Sequence, residues 1–289
     1  MKLYVPQEFR SNEEKIRQEE AKTILDIAKK YDIKIVDDVL EADFVIPVGG
    51  DGTTLHWSRK ILKDYNVCKP ILPIRTASPR SMGYLADIPI TNVDEAIKRL
   101  SKEEYKVHKR HILDFYKNDE KTNFAIADIT IMQVPREAMR CTLRVDNKLW
   151  FHYKSIPGDG ITVATSTGTT GYNESAGGHV LDAADPVQSK QIVVTLRYPI
   201  YLRTPEVRSK VLSENSVIDF EFYRPYKSFV VADTEFSEIL KSDKITIKKS
   251  DEKTFNLVKI NGMEESKQSK DRRRIEFFER ALFENTSVV

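Results

Sequence analysis

Two aspartates in this chain are each set between glycines, a setting suited to phosphate chemistry. The first lies in Val45-Ile46-Pro47-Val48-Gly49-Gly50-Asp51-Gly52-Thr53-Thr54-Leu55, where an apolar, strand-like segment stops abruptly and a helical pattern follows. Glycines let the backbone turn tightly and approach a ligand closely. Their N–H groups, together with the N-terminus of the following helix, form a cradle for phosphate. Asp51 would stand at the mouth of that anion site, where a carboxylate is costly unless it binds a metal or accepts a proton. A strand-to-helix turn with Asp51 as its N-cap accounts for the same residues, and a lone glycine motif does not decide between the two readings.

The second aspartate opens a longer run. Gly158-Asp159-Gly160 is followed by Thr165-Ser166-Thr167-Gly168-Thr169-Thr170-Gly171-Tyr172 and then by Asn173-Glu174-Ser175-Ala176-Gly177-Gly178. Small hydroxyl residues interleaved with glycine supply donors with little bulk, which suits sugar hydroxyls and a pyrophosphate. Asp159 is placed to accept hydrogen bonds from a ribose or an amide. Tyr172 is placed either to stack on a base or to pack in a core. A Ser/Thr/Gly run is often only a loop, but a second Gly-Asp-Gly in the same chain weighs against that here.

The elements that must hold these motifs alternate at first. Ile24, Ile27, Ala28 and Tyr31 recur at helical spacing after a Ser11-Asn12-Glu13-Glu14 capping box. Strand patterns at Ile33–Val36, Phe44–Val48 and Ile71–Ile74 flank a helix running on from Leu55 to Tyr65, and a short helix is predicted over Val93–Leu100. Strands alternating with helices imply a parallel sheet, whose ligands sit beyond the carboxyl ends of the strands. Gly49, Gly50, Gly52 and Thr53 lie at such an end. So does the loop from Arg75 to Tyr84, which brings Arg75 and Arg80 to the same rim as candidate phosphate ligands.

From about His108 the pattern changes to short strands at hairpin spacing, predicted over Ile112–Tyr116, Phe124–Met132, Cys141–Val145, Leu149–Tyr153, Ile192–Thr195, Val217–Phe222, Phe229–Ala232, Ile245–Lys248 and Phe255–Ile260. The expected fold is therefore an α/β N-terminal domain with a parallel sheet, residues 1–107, followed by an all-β, sandwich-like antiparallel domain, residues 108–266. The tail, residues 267–289, is expected to pack back on a domain through Ile275, Phe277 and Phe278. Its Lys270-Asp271-Arg272-Arg273-Arg274 stretch reads as a solvated charge run.

Composition narrows the function further. The 46 basic and 44 acidic residues leave a net charge of +2, which gives no support to a general nucleic-acid or membrane-surface binder. Two distant cysteines, Cys68 and Cys141, make neither a disulfide framework nor a metal pair, and the five histidines have no metal-ligand spacing. No apolar run approaches the ~20 residues needed to span a bilayer, so a soluble, cytoplasmic protein is expected.

Taken together, Gly49-Gly50-Asp51-Gly52-Thr53, Gly158-Asp159-Gly160, Thr167-Gly168-Thr169-Thr170-Gly171-Tyr172 and Ser175-Ala176-Gly177-Gly178 resemble the signature set of NAD kinases in order and separation. The likeness runs roughly from Phe44 to Ile260. Ser78-Pro79-Arg80-Ser81-Met82-Gly83-Tyr84-Leu85, Ala138-Met139-Arg140-Cys141 and Leu196-Arg197-Tyr198-Pro199-Ile200 are similar to the branch that contains mitochondrial NAD kinases and plant NADH kinases. The chain departs from the family in having Ala127-Asp128 where an Asn precedes the acid, so only Asp128 carries over. Pro73-Ile74-Arg75-Thr76-Ala77 also replaces the usual Gly-Ile-Asn-Thr-Gly.

The resemblance implies phosphoryl transfer from ATP, or another phosphoryl donor, with Mg2+ carried on the nucleotide phosphates, to the 2'-hydroxyl of the adenosine ribose of NAD or NADH. Asp51 is then the candidate base. Asp128, Asp159, Thr170, Gly171, Tyr172 and Ser175 would hold the dinucleotide. The resemblance also implies a homodimer or homotetramer. A lipid or small-polyol kinase built on the same glycine turn, and a non-catalytic nucleotide sensor, are the alternatives. The first would need an apolar acceptor cleft, against which the hydroxyl-rich Ser166 to Thr170 run argues. Ala127 is the one hint of the second.

Overall fold

The structure, a computed structural model, describes residues 1–7, 14–78, 83–134, 139, 141–151, 158–198, 208–222, 227–239 and 243–284. Most of the expected Ser11–Glu14 cap lies outside these residues, as do Arg80, Ala138, Arg140, Pro199 and Ile200. The side chains of Phe277 and Phe278 lie outside the description as well. The chain forms two compact units, one made of residues 1–109 with 255–289 and the other of residues 110–254.

In the first unit the elements are β1 (Lys2–Tyr4), α1 (Glu14–Lys30), β2 (Lys34–Ile35), β3 (Phe44–Val45), β4 (Val48–Gly49), α2 (Asp51–Asp64), β5 (Pro70–Ile71), β6 (Ile74–Arg75), β7 (Ile88–Pro89) and α3 (Val93–Ser101). The strands β2, β1, β3 and β5 lie side by side and all pair in parallel, as the α/β pattern requires. Ala21, Ile24 and Ala28 of α1 and Val93, Ala96, Ile97 and Leu100 of α3 are buried against this sheet in a core with Leu3, Ile46 and Ile74.

Two apolar runs that read as single strands are each split by a proline. Phe44–Val48 breaks at Pro47 and Ile71–Ile74 at Pro73. Proline offers no N–H to a ladder, and the chain steps from one sheet to another at that point. The outcome is a second, small parallel sheet in which β4 pairs with β6 and β6 with β7. Its register sets Gly49 directly opposite Arg75.

The chain continues through β8 (Tyr105–Lys117), β9 (Glu120–Ala125), β10 (Asp128–Val134), β11 (Cys141–Val145), β12 (Lys148–Phe151), β13 (Gly160–Thr165), β14 (Gln191–Arg197), β15 (Ser209–Ser213), β16 (Ile218–Phe222), β17 (Lys227–Ala232), β18 (Glu235–Ile239), β19 (Lys244–Ile260) and α4 (Lys267–Glu284). In the second unit a six-stranded antiparallel sheet runs β15-β14-β13-β10-β17-β18. A further antiparallel set pairs β12, β11, β16 and the start of β19. Side chains from both, among them Ile129, Ile161, Val194, Leu143, Phe220 and Ile247, share one buried core. That is the sandwich-like arrangement expected.

Further details differ from the sequence reading. The run Phe124–Met132 is two strands parted at Ile126 and Ala127. The stretches at Ile245 and Phe255 belong to one strand of 17 residues whose end, at Asn256 and Leu257, joins the parallel sheet beside β5. The tail is a helix rather than a solvated charge run. Lys270 and Arg273, one turn apart, are only 13% and 21% exposed in their ion pairs, whereas Arg272 is 83% exposed. Ile275, expected to dock the tail, is 59% exposed.

Candidate active site

Asp51 is the first residue of α2, and Gly50 takes the cap position with no side-chain capping bond. The carboxylate does not cap its own helix. Its Oδ2 accepts the N–H of Tyr84 at 2.8 Å and its Oδ1 the N–H of Leu85 at 2.6 Å. The N-cap account of this aspartate is therefore replaced by a contact to the turn that precedes β7. Loss of hydration raises the Asp51 pKa, against the pull of the Leu85 and Tyr84 amides and of the Lys270 and Arg273 charges.

The glycines around Asp51 have separate reasons. A side chain on Gly49 would run into Thr53, so the close approach of strand end and helix start requires glycine there. Gly52 is exposed, with open space where a Cβ would be. The N–H groups of the first turn are thus approachable by an anion. Thr53 Oγ1 accepts from Arg17 Nη1 at 3.3 Å.

Arg75, read as a phosphate ligand, has its guanidinium engaged within the protein. It donates to Ala86 O at 3.1 Å and forks onto both carboxylate oxygens of Glu265 at 3.1 and 3.2 Å. Burial works against the Glu265 carboxylate, but Arg273 and Arg75 outweigh it and hold the pKa below its usual value. Arg80 lies outside the described residues.

In the second unit, Asp128 begins β10 and is 5% exposed. A charged neighbour, Asp233, was not singled out from sequence. Asp233 sits in the two-residue turn between β17 and β18, with φ 52°, and accepts the N–H groups of Ile126, Ala127 and Asp128 at 2.9, 2.8 and 3.3 Å. Three amides stabilise its charge. Asp128 has instead one hydroxyl, from Thr130 at 3.2 Å. Burial first, and then the Asp233 charge, push the Asp128 pKa up to about 7. The two acids thus differ in their surroundings, three N–H donors for Asp233 against one hydroxyl for Asp128. An aspartate closing a hairpin turn was the sequence signal for Asp233.

Ala127 contributes through its backbone. Its N–H goes to Asp233, and its carbonyl accepts the Thr165 N–H at 2.9 Å and the Thr165 hydroxyl at 3.1 Å. Asp159 precedes β13, and its Oδ1 is buried without a hydrogen-bond partner among the described residues. Thr170 is half-buried, while Gly171, Tyr172 and Ser175 are exposed, Tyr172 at 63%. Tyr172 therefore does not pack in a core.

The loop bearing these residues is pinned by Asn173, which sequence reasoning passed over. Fully buried, it accepts from Thr195 Oγ1 at 2.6 Å and donates to the carbonyls of Thr169 and His179 at 3.1 and 2.8 Å. Thr195 belongs to a row of buried hydroxyls, Thr130, Thr162, Thr195 and Ser209, set opposite one another across four strands.

Two family models account for most of the chain. Residues 2–105 match the ATP-NAD kinase N-terminal domain and residues 127–260 the ATP-NAD kinase C-terminal domain. The chain belongs to the NAD kinase family. It is 30% identical over 217 residues to an NAD kinase of Methanothermobacter thermautotrophicus, covering 74% of this chain and 71% of the relative. With an NAD kinase of Caldicellulosiruptor bescii the identity is 32% over 218 residues, covering 75% and 77%.

Solved structures share the fold. A yeast NADH kinase complexed with NADH superposes with a TM-score of 0.73 at 17% identity, covering 96% of this chain and 87% of that one. An Archaeoglobus fulgidus NAD kinase in complex with ATP gives 0.68 at 23%, covering 94% and 98%. Within this NAD kinase family chain, no helix among the described residues is long and apolar enough to cross a membrane.

Proposed function

We propose that this chain is an NAD(H) kinase that transfers the terminal phosphoryl group of ATP to the 2'-hydroxyl of the adenosine ribose of NAD or NADH, giving NADP(H). Family membership supports the reaction, and the setting of Asp51 carries the assignment of its base. Each Asp51 oxygen accepts one N–H and keeps a further lone pair. A pKa raised by lost hydration makes the carboxylate a better proton acceptor.

In the step itself the ribose oxygen forms a bond to the terminal phosphorus. The bond from that phosphorus to the bridging oxygen breaks, and ADP leaves with the electron pair. The hydroxyl proton passes to Asp51. Little covalent work falls to the protein, so positioning and charge dominate. The backbone at Gly49, Gly50, Gly52 and Thr53, together with the Arg75 and Arg80 side chains, is assigned to the donor phosphates. Asp128, Asp159, Thr170, Gly171, Tyr172 and Ser175 are assigned to the dinucleotide. A neutral Asp128 would donate a hydrogen bond that an ionised one cannot.

Mg2+ bound to the phosphates would neutralise their charge. The open first turn of α2 fits a donor that brings its cation with it, held through the phosphates rather than by a dedicated protein cage. A cytoplasmic location and a homodimeric or homotetrameric state belong to the same reading.

The test is purified protein with ATP, Mg2+ and NAD or NADH, followed by measurement of NADP or NADPH. Nucleotide binding without product would point to a sensor. Phosphorylation of a lipid or polyol alone would point to the other kinase class.

A further inference from the structure

The contacts of α4 draw together on one turn. Arg273 donates to the carbonyl of Gly83 at 2.8 Å and pairs with Glu265. Lys270 pairs with Asp87, and its ammonium lies 5.5 Å from the centre of the Tyr84 ring. The Tyr84 hydroxyl reaches Asp271 at 3.4 Å. From β19, Lys259 also pairs with Asp87 and donates to the carbonyl of Leu85 at 3.3 Å.

These groups are well sheltered. Asp87 is 4% exposed in both of its ion pairs, and Lys259 and Lys270 are 10% and 13% exposed. A buried carboxylate between two lysines is well neutralised and leaves a surplus positive charge. Gly83, at φ +58°, takes a left-handed conformation, and a side chain there would strike Arg75. The shape of the turn is thus set by its glycine, and its place by cations from outside it.

The two N–H groups that this turn presents are those that hold Asp51. We propose that α4 is a clasp for the Asp51 site, in which Arg273 and Lys270 act as positioning residues by fixing the Gly83 to Asp87 turn and hence the orientation of the Asp51 carboxylate. The proposal rests on Asp51 being the base of the kinase reaction. It assigns to the C-terminal helix a part in phosphoryl transfer without contact to either substrate. The Lys270 and Arg273 charges also favour the ionised form of Asp51, which is the form that accepts a proton.

Hydrogen–deuterium exchange at the Tyr84 and Leu85 amides reads the clasp without reference to activity. Four variants of the full chain suffice: Arg273→Gln, Lys270→Met, Arg273→Lys and the solvent-facing control Arg272→Ala. The first two should exchange at least ~10-fold faster at both amides, as expected when local opening becomes easier. Their kcat should fall at least ~10-fold, with KM for ATP and NAD within about threefold, as for a misplaced group that binds neither substrate. Arg273→Lys should recover most of both, and Arg272→Ala should match the parent.

Unchanged exchange at Tyr84 and Leu85 in folded Arg273→Gln and Lys270→Met overturns the proposal. So does an effect on KM alone, or a kcat loss shared by Arg272→Ala. If the parent protein forms no NADP(H) while the amides respond as described, the clasp stands and the kinase reading fails.

Discussion

The N–H of Leu85 meets Oδ1 of Asp51 at 2.6 Å, although 34 residues separate them in the chain. With the Tyr84 N–H on the other oxygen, it turns the carboxylate of α2 toward the turn before β7. The aspartate of the glycine motif is therefore oriented from outside the motif.

Asp51→Ala should leave the fold intact and lower NAD phosphorylation at least ~100-fold, the lower end for loss of a general base. Asp51→Asn should do the same. It should also cost about 1–3 kcal/mol in stability, because its amide group confronts one of the two N–H donors. Circular dichroism with steady-state kinetics checks both. Undiminished turnover in Asp51→Ala would remove this residue from the mechanism.

Asp128 gives the folded protein a pH dependence. Its pKa rises from 3.8 to about 7 on folding, so between these values the folded state holds a proton that the unfolded state has released. The associated stability is fully present below the unfolded pKa and is lost as pH rises through about 7. Asp128→Asn cannot ionise. It should flatten that slope and be the more stable protein at pH 8, by as much as a few kcal/mol. Urea unfolding at pH 5 and pH 8 measures the difference, and equal slopes in the two proteins would contradict it.

Asn173→Ala should loosen the loop that carries Thr170 to Ser175. It removes an acceptor from the buried Thr195 hydroxyl, which keeps Ser209 Oγ at 2.9 Å, and a donor from two carbonyls, at a cost of about 1–3 kcal/mol. We expect KM for NAD to rise several-fold while KM for ATP stays near its parent value. Chemical denaturation and separate titration of the two substrates test this, and an equal rise in both constants would show a general loss of structure.

Ala127→Asn restores a side-chain amide at the position where the family pattern carries one. If the missing amide weakens dinucleotide binding, NAD should bind tighter by about one hydrogen bond, roughly 5- to 10-fold. Calorimetric titration with NAD gives the answer, and an unchanged Kd means that this position does not contribute through its side chain.

The strand–turn–helix at Gly49 to Thr53 was legible because each residue type has a local reason. An apolar run ends, glycines relieve crowding, and helical spacing follows. The parallel α/β pattern and the later antiparallel sheet were legible for the same reason. What escaped notice depends on contacts distant in sequence. Nothing near Asp51 announces Tyr84 or Leu85, because backbone amides have no sequence signature. The strand Gly160–Thr165 hid in the glycine- and hydroxyl-rich run because its buried threonines read as loop residues. They are buried in a row of hydroxyls, and Thr130 bonds Thr162 at 3.0 Å. Lys270 and Arg273 looked solvated because charge alone does not reveal which face of a helix turns inward.

The parallel sheet of the first unit is finished by residues that leave the ribosome late. Its member beside β5 comes from the end of β19, after the whole contiguous stretch 110–254 of the other unit. During synthesis from the N-terminus the second unit emerges complete and can fold as one piece. The first must wait with the open edge of β5 unpaired until Leu257 arrives. An unpaired edge is a site of unwanted association. For this chain the order of synthesis therefore runs against the order of the domains. The Asp51 turn receives Lys259, and then α4, only after the whole second unit has been made.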